Sequence, residues 1–268
     1  MEDYLEREAI AKRLAGVKHK IFVLSGKGGV GKSTVAVNTA FALARMEKKV
    51  GLLDIDIHGP SVPKLMGLEG ERLVSSNELI QPISIGDNLK IVSIGLLLDD
   101  SDSAVVWRGP RKFGVIRQFL KDVEWGELDF LIMDSPPGTG DEPLAACQLV
   151  PEPDGALIVT TPQDVAIVDV RKAVTFCRNL DIKVLGVVEN MSTLTCPHCG
   201  GKIDVFKSGG GMRMAESMGI DFSMSIPMDP SVVISGDEGR PGALGPEGNE
   251  VSRAFASLAD FIASLDPS

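Results

Sequence analysis

An eight-residue segment, residues 26–33 with the sequence GKGGVGKS, constrains the fold of this chain more than any other feature. It matches the pattern G-x-x-x-x-G-K-[ST], in which the backbone N–H groups of a glycine-rich loop converge on phosphate oxygens. A compact apolar run at residues 20–24 precedes it, and a helical spacing of apolar residues follows over residues 33–46. A phosphate-binding P-loop requires this context, a loop between a buried strand and a helix N-terminus. The segment therefore predicts an α/β fold that binds and hydrolyses ATP.

The residue types in this loop predict how it holds ATP and Mg²⁺. Lys32 is expected to reach the β- and γ-phosphates, and the Ser33 hydroxyl is expected to ligate Mg²⁺. The residues predicted to contact the nucleotide are Gly28, Gly29, Val30, Gly31, Lys32, Ser33 and Thr34. Lys27 is not required by the general pattern, and two interpretations of it are open. It could cross to the nucleotide of a facing subunit, as an arginine finger does, or it could be a solvated loop residue.

Strand-like and helix-like segments alternate along the chain. Short apolar runs predict strands over residues 20–24, 50–55, 89–94, 130–133, 156–160, 184–188 and 222–226. Helical spacing predicts helices over residues 3–15, 33–46, 165–179 and 252–264. This alternation favours a P-loop NTPase fold, with a mainly parallel sheet of about seven or eight strands and helices on both faces. We expect one domain over residues 1–268, with a helical extension at 1–18 and surface loops at 192–211 and 235–248.

Three aspartates follow predicted strands, at the edge where ligands bind in open α/β sheets. Asp54 and Asp56 close the second strand, and Asp134 follows four apolar residues at the end of the fourth. Asp134 is the Walker B candidate, expected to hold Mg²⁺ directly or through water. One of the other two is placed to touch the Mg²⁺ shell and one to orient the attacking water, while Gly138 could offer its N–H to a γ-phosphate. Each aspartate could instead be a helix N-cap or a turn former.

Charge and hydropathy argue against several classes of function. The formal net charge is −10 and the isoelectric point is about 4.9, so binding to a nucleic-acid backbone is not expected. No apolar window approaches the roughly 18 residues of a membrane span, and the N-terminus lacks the apolar core of a secretory signal. The segment 250–268 carries one Arg and three acidic residues, which argues against binding to anionic lipid. We expect a cytoplasmic protein with no nucleic-acid or membrane partner.

Several short motifs occur in order along the chain and carry a family resemblance. The loop sequence KGGVGKS resembles the deviant Walker A motif of the MinD/ParA-like dimerising ATPases. The further motifs are DIDIHGPS at 54–61, WRGP at 107–110, DSPPGTGD at 134–141, TPQDVA at 161–166 and CPHCG at 196–200. Together they resemble the Mrp/ApbC family of iron–sulfur cluster carrier ATPases over about residues 20–229. No cysteine precedes Cys147, so the chain resembles the short form without an N-terminal four-cysteine motif.

The resemblance implies a homodimer in which two nucleotides face each other across the interface. It gives Lys27 the role of a signature lysine that acts in trans on the partner's nucleotide. It also implies that Asp56 positions the hydrolytic water and that Asp54 belongs to the Mg²⁺ shell.

Recognition of the adenine base is a further implication of the resemblance. Asn190 is implied at the base, and its amide carries the donor and acceptor that adenine's edge requires. The loop that contains Pro227 and Asp229 is implied to close over the same base.

The four cysteines divide into two pairs. Cys147 and Cys177 lie in apolar stretches and are predicted to be small buried residues. Cys196 and Cys199 form a C-x-x-C pair, which in a cytosolic protein indicates metal or redox chemistry. A [4Fe–4S] cluster and a closed zinc site both need four ligands, so two chains related by a twofold axis would complete either one. His198 is predicted to be a solvent-facing spacer rather than a ligand.

Three functions remain open at this point. The preferred hypothesis is an ATPase that binds [4Fe–4S] clusters between two subunits and transfers them to apoproteins, with nucleotide state coupled to cluster affinity. A MinD/ParA-like spatial organiser is the first alternative, although nothing in that class needs the C-x-x-C pair. An ATPase stabilised by zinc, without cluster transfer, is the second.

Overall fold

The computed structural model describes residues 2–57, 59–97, 109–196, 198–241 and 249–266. In these residues the strands, in chain order, are β1 (Val17–Ser25), β2 (Val50–Asp54), β3 (Val74–Ser76), β4 (Leu79–Gln81), β5 (Ile83–Ile85), β6 (Leu89–Ser93), β7 (Leu128–Asp134), β8 (Gly155–Thr160), β9 (Val184–Glu189), β10 (Leu194–Thr195), β11 (Lys202–Ile203) and β12 (Ser223–Ser225). The helices are α1 (Glu2–Leu14), α2 (Lys32–Arg45), α3 (Val62–Leu65), α4 (Gly109–Asp122), α5 (Asp141–Leu149), α6 (Asp164–Asn179), α7 (Gly210–Ser217), α8 (Pro230–Asp237) and α9 (Glu250–Ala263). None of the described helices is long and apolar enough to cross a membrane.

Eight strands form the central sheet, in the order β12-β9-β8-β1-β7-β2-β6-β5. All neighbours are parallel except β5, which pairs antiparallel with β6 at one edge. The prediction of a mainly parallel sheet of seven or eight strands is therefore confirmed. The seven predicted strands all form, and the unpredicted eighth is β5, whose three residues are too few for a periodic pattern.

Alternate residues of the central strand β1 pack on opposite faces of the sheet. Phe22 and Leu24 belong to a core cluster that includes residues of α4, α5 and α6, whereas Ile21 and Val23 belong to a second cluster with residues of α2 and α9. A strand buried on both faces is apolar throughout rather than alternating, which explains the continuous run seen in the sequence. Helices therefore cover both faces of the sheet, as predicted.

Three parts of the chain differ from their predicted structure. Residues 192–211, expected to be a surface loop, contain the β10–β11 hairpin and the start of α7. The expected loop 235–248 begins inside α8, and residues 242–248 lie outside the described residues. The expected helical extension 1–18 ends at Leu14, and Ile10 and Leu14 are buried in the core, because the helix packs against α4.

The sheet topology determines where the site lies. The glycine-rich loop leaves the end of β1, whose neighbour β7 ends at Asp134. The next strand, β2, ends at Asp54, directly opposite Asp134 in the parallel register. The loop and two of the predicted aspartates are thus brought to one edge of the sheet by three adjacent strands.

Candidate nucleotide-binding site and cysteine pair

The glycine-rich loop joins β1 to α2 in a conformation that side chains would disturb. Gly31 is the N-cap residue of α2 and has a φ of 80°, a left-handed backbone conformation that favours glycine. A Cβ atom added at Gly31 would lie 2.2 Å from Nδ2 of Asn190, which is closer than any real contact. Two local features therefore favour glycine at residue 31, just before Lys32. They are the backbone angle and the close approach of Asn190.

Lys32 lies among the acidic residues at the sheet edge. Its ammonium Nζ is 2.5 Å from Oδ1 of Asp134 and 3.8 Å from Oδ2 of Asp56, and it donates to the Ser33 hydroxyl at 3.5 Å. Lys32 is only 6% exposed. Since a buried carboxylate without a cation is costly, Lys32 stabilises this group of acids while remaining at the start of the phosphate-binding helix.

Asp54 and Asp134 are both completely buried. Asp54 accepts hydrogen bonds from the Asp56 N–H at 3.0 Å and from the Ser93 hydroxyl at 2.7 Å. Burial and the neighbouring Asp134 carboxylate raise the pKa of Asp54 to about 8. Burial also raises the pKa of Asp134, against the opposing effect of the Lys32 ammonium. Burial thus opposes ionisation of the two carboxyl groups at this edge of the sheet, and a bound cation would favour their charged forms.

The chemistry of the site fits Mg²⁺. Oδ2 of Asp134 is buried and accepts no hydrogen bond from the described residues. Carboxylate and hydroxyl oxygens are the hard ligands that Mg²⁺ prefers, and this ion usually takes only one or two carboxylates from the protein and the rest from phosphates and water. Asp134, Asp54 and Ser33 supply such oxygens beside the loop.

A cavity of about 230 Å³ opens over the loop. Its lining residues are Ser25, Lys27, Gly28, Gly29, Gly31, Lys32, Ser33, Thr34, Asp56, Gly59, Ser61 and Pro137. Drug-sized ligands usually occupy roughly 300–1,000 Å³, so this volume suits phosphate groups rather than a whole nucleotide. The structure thus brings most of the predicted loop residues and Asp56 to one phosphate-sized space.

Lys27 lines the same cavity and is partly exposed. Its carbonyl oxygen accepts a hydrogen bond from the Ser25 hydroxyl at 2.9 Å, which fixes the backbone there. Gly138 differs from the expectation for it, because its N–H donates to the Ser25 carbonyl at 2.9 Å. A contact between this N–H and a γ-phosphate would require that bond to break.

Asn190 lies directly beside the glycine-rich loop, where its Nδ2 donates to the Val30 carbonyl at 3.0 Å. Asp229 is the N-cap of α8 and accepts the Ser231 N–H at 2.8 Å. Pro227 is partly buried and follows Ile226 at the end of the β12 segment. The N-cap bond leaves the Asp229 carboxylate able to accept further hydrogen bonds. The roles of Asn190, Pro227 and Asp229 at the adenine base stay predictions.

The two cysteine pairs differ in environment as predicted. Cys147 and Cys177 are buried, and burial raises the pKa of each thiol to about 12. Cys199 is exposed and Cys196 is partly so, in a tight turn closed by hydrogen bonds between Cys196 and residues 200 and 201, both 2.9 Å long. Backbone N–H groups of residues 198 and 199 lower the pKa of Cys196, which favours the thiolate that binds metals. His198 is exposed, consistent with a spacer.

Among the described residues of the chain, Cys196 and Cys199 are the two thiols that are at least partly exposed. Within the residues that the structure describes, no group of three or more His, Cys, Asp or Glu side chains is arranged around a possible metal ion. A four-ligand site at the cysteine pair would therefore need ligands from outside these residues. Trp107 and Arg108 of the WRGP motif, His58 and Pro197 lie outside the described residues.

Two residues that support the neighbourhood of the site were missed in the sequence. Ser93 holds Asp54, and it could have been found because it lies near the carboxyl end of the third predicted strand, as Asp54 and Asp134 lie at the ends of theirs. Glu189 ends β9 and accepts the N–H groups of Gly209 and Gly211. An acid at the end of the predicted strand 184–188 was the available signal.

Comparisons with known proteins show the family to which the chain is similar. A family model described as "ParA: NUBPL iron-transfer P-loop NTPase" matches residues 16–263. An iron–sulfur cluster carrier protein of Methanocaldococcus jannaschii is 49% identical over 235 residues, covering 88% of this chain and 81% of the relative. The cytosolic Fe–S cluster assembly factor CFD1 of Saccharomyces cerevisiae is 48% identical over 229 residues, covering 83% and 78%.

A solved structure of a nucleotide-binding protein has the same fold. A nucleotide-binding protein of Archaeoglobus fulgidus, in complex with ADP, superimposes with a TM-score of 0.80 at 41% identity, covering 90% of this chain and 94% of the other. The Mrp/ApbC resemblance drawn from the motifs is confirmed by these matches. With the family model spanning most of its length, the chain belongs to the ParA-like family of NUBPL-type iron-transfer P-loop NTPases.

Proposed function

We propose that this protein is an ATP-hydrolysing carrier that binds iron–sulfur clusters and transfers them to apoproteins. The observation that carries the proposal is the exposed Cys196–Cys199 pair, with one thiol of lowered pKa, on a chain that also has a complete P-loop site. The names of the two relatives, both close to half identical to this chain, support the same function.

At the nucleotide, the proposed roles follow from the positions of the side chains. Lys32 leaves Asp134 for the β- and γ-phosphates when ATP binds, because a phosphate offers its ammonium stronger charge-assisted bonds. Ser33, Asp54 and Asp134 would hold Mg²⁺, which when bound would neutralise charge that develops on the phosphates. Asp56, at the cavity wall, accepts a hydrogen bond from the attacking water and orients it.

The remaining nucleotide contacts are assigned on proximity to the loop or, for Pro227 and Asp229, on the family resemblance. The backbone N–H groups of residues 28–31, together with Thr34 at the start of α2, face the phosphates. Asn190 recognises adenine from beside Val30, and the segment with Pro227 and Asp229 covers the base. In this account catalysis rests on positioning and on charge stabilisation rather than on a covalent intermediate.

The cluster is proposed to lie between two copies of the chain. One chain supplies two thiolates, and a [4Fe–4S] cluster takes four, so Cys196 and Cys199 of both subunits would ligate one cluster. A site shared by two subunits opens when they separate, which suits a carrier that must release its cargo. Lys27, which lines the phosphate cavity and is partly exposed, would then reach the nucleotide of the other subunit.

Two alternatives predict different results. A zinc-stabilised ATPase would use the same four thiolates, because tetrahedral thiolate sites accept zinc as well. A MinD/ParA-like spatial organiser would not need the cysteine pair. We place the carrier in the cytoplasm, without nucleic-acid or membrane partners.

Anaerobic reconstitution with iron and sulfide tests the proposal. The wild-type protein should take up about four iron atoms per two chains and gain the absorbance of a [4Fe–4S] cluster. The Cys196→Ala/Cys199→Ala variant should take up none at this site, whereas the matched Cys147→Ala/Cys177→Ala variant should behave as wild type. Equal uptake by wild type and the Cys196→Ala/Cys199→Ala variant would contradict the proposal. Uptake of zinc but not of iron would favour the zinc-stabilised ATPase.

A further inference from the structure

Glu189 is a completely buried carboxylate with an unusual set of partners. Its Oε1 accepts the Gly209 N–H at 2.9 Å and the Ser225 hydroxyl at 3.3 Å, and its Oε2 accepts the Gly211 N–H at 2.6 Å. The two glycine donors lie at the N-terminus of α7, where the helix dipole also favours a negative charge, and the Ser225 hydroxyl comes from the end of β12. Burying a carboxylate is costly, and these hydrogen bonds offset the cost only while α7 stays in place.

The contact depends on glycine at residue 211. A Cβ atom added there would lie 3.2 Å from both Cβ and Oε2 of Glu189, which is tighter than most real contacts. The α7 backbone can approach the carboxylate this closely because residue 211 has no side chain. Glu189 and Gly211 therefore form a matched pair, and each can be changed to disturb the other.

Glu189 closes the segment that carries the cysteine pair. This segment leaves the sheet at residue 190, forms the β10–β11 hairpin around Cys196 and Cys199, and returns at Gly209 to the same carboxylate. Both ends of the 20-residue segment 190–209 are thus held at the end of β9. A displacement of this point would move the base of the hairpin.

The next residue along the chain faces the nucleotide loop. Asn190 donates from Nδ2 to the Val30 carbonyl and from its backbone N–H to the Thr160 carbonyl at 2.7 Å. Glu189 and Asn190 are adjacent, so one peptide bond links the hydrogen bond to the P-loop with the hydrogen bonds to the start of α7. Coupling between two sites is carried by packed and hydrogen-bonded networks of this kind.

We propose that Glu189 is a positioning residue that couples nucleotide binding at the P-loop to metal binding at Cys196 and Cys199. When phosphates draw the backbone of residues 29–31, Asn190 and the end of β9 follow, and Glu189 transmits the shift to residues 209–211. The inference rests on the proposed function, since it requires that the cysteine pair binds metal. It adds a specific residue through which the two sites communicate.

The test measures the affinity of Co²⁺ for the cysteine pair with and without a non-hydrolysable ATP analogue and Mg²⁺. Co²⁺ bound by thiolates gives a charge-transfer absorbance, and it accepts the tetrahedral site that zinc would occupy. In wild type the analogue should change the apparent Kd for Co²⁺ by roughly 5- to 150-fold. The side-chain amide of Glu189→Gln can accept a hydrogen bond from only one of the two glycine N–H groups. In this variant the ratio of the Kd values for Co²⁺ measured without and with the analogue should be about 1.

Two controls separate coupling from loss of structure. Glu250→Gln weakens a different tether of the same hairpin, the 3.3 Å bond from the Thr195 hydroxyl, and should keep the wild-type ratio. The affinity of Glu189→Gln for the ATP analogue with Mg²⁺, measured in the absence of Co²⁺, should stay within about twofold of wild type. A local positioning defect changes the coupling between the sites and not the P-loop itself. A general loss of stability would weaken Co²⁺ binding both with and without the analogue and leave the ratio of the two Kd values unchanged.

The outcomes are distinguishable. A wild-type ratio that Glu189→Gln retains would overturn the role of Glu189 and leave the proposed function intact. Equal Co²⁺ binding by wild type and the Cys196→Ala/Cys199→Ala variant would overturn the proposed function and this inference together. A wild-type ratio of 1, with Co²⁺ bound at the cysteines, would overturn the coupling alone.

A second approach applies if Glu189→Gln does not fold. Gly211→Ala crowds the same carboxylate from the α7 side and should also lower the ratio. Hydrogen exchange on the wild-type protein gives an independent readout, because the ATP analogue should slow exchange of the amides over residues 194–211. Unchanged exchange in that segment would overturn the inference.

Discussion

Asp54 and Asp134 lie opposite each other in register on β2 and β7, and both carboxylates are completely buried. The ammonium of Lys32 is 2.5 Å from Asp134, while Asp54 is held by a hydroxyl and an N–H. With a single lysine beside them, the two buried acids cannot both ionise without leaving a negative charge uncompensated, so Asp54 keeps its proton up to a pH of about 8. A divalent cation at the sheet edge would supply the missing positive charge, and in its absence the retained proton makes the stability of the protein depend on pH.

We expect the metal-free protein to lose stability as pH rises from about 4 to about 8. The pKa of Asp54 is raised from its ordinary 3.8 to about 8, so the folded chain holds a proton that the unfolded chain has released. Stability from this group is therefore greatest at low pH, and it falls by at most about 1.4 kcal/mol per pH unit across the window. Urea denaturation in EDTA at several pH values measures the slope, and Asp54→Asn should flatten it. Parallel slopes in the two proteins would contradict the prediction.

Lys32→Ala should weaken Mg-ATP binding severely. A charge-assisted hydrogen bond to a phosphate contributes about 1.5–3 kcal/mol, so affinity should fall roughly 10- to 150-fold. Isothermal titration calorimetry with Mg-ATP measures the change, and circular dichroism checks that the variant is folded. Tight binding by folded Lys32→Ala would remove the assignment of this loop as a phosphate site.

Lys27→Ala should behave differently from Lys32→Ala although both lysines line the same cavity. If Lys27 acts on the nucleotide of a second subunit, its loss should spare ATP affinity and reduce turnover by about tenfold or more. Lys183→Ala is a suitable control, since this exposed lysine precedes β9 at the opposite edge of the sheet. Unchanged turnover in Lys27→Ala would argue that this lysine is only a solvated loop residue.

Alkylation should distinguish the cysteines without any metal. At neutral pH iodoacetamide should modify Cys196 and Cys199 quickly, because both are accessible and the pKa of Cys196 is lowered by backbone N–H groups. Cys147 and Cys177, buried and with pKa values of about 12, should react only after unfolding. Peptide mass spectrometry over a time course measures the four rates. Rapid modification of Cys147 in the folded protein would contradict the described packing.

The parts of the fold that the sequence predicted are those in which local pattern and burial agree. The parallel strands are short apolar runs because both faces are covered, and each of the seven was found. Helix α7 was missed because it begins with Gly210 and Gly211, poor helix formers that the distant Glu189 carboxylate holds in place. Helix α8 was missed because its Val-Val-Ile segment favours strands, although Asp229 and Pro230 form a recognisable helix start.

The site shows the same division. The loop and its aspartates were predictable because their chemistry follows the ends of strands, and the structure brings them to one edge of the sheet, where Asp56 lines the cavity. The partner of Gly138 and the hydrogen bonds of Glu189 depend on residues far away in the chain, so no local pattern indicates them.

Native mass spectrometry of the protein, reconstituted anaerobically with iron and sulfide, tests the central claim most directly. It measures how many chains and which inorganic ions are in one particle. The account predicts a dimer that carries a single [4Fe–4S] cluster, and the loss of that species in Cys196→Ala/Cys199→Ala. A cluster on a single chain, or a dimer that holds only zinc under the same conditions, would contradict it.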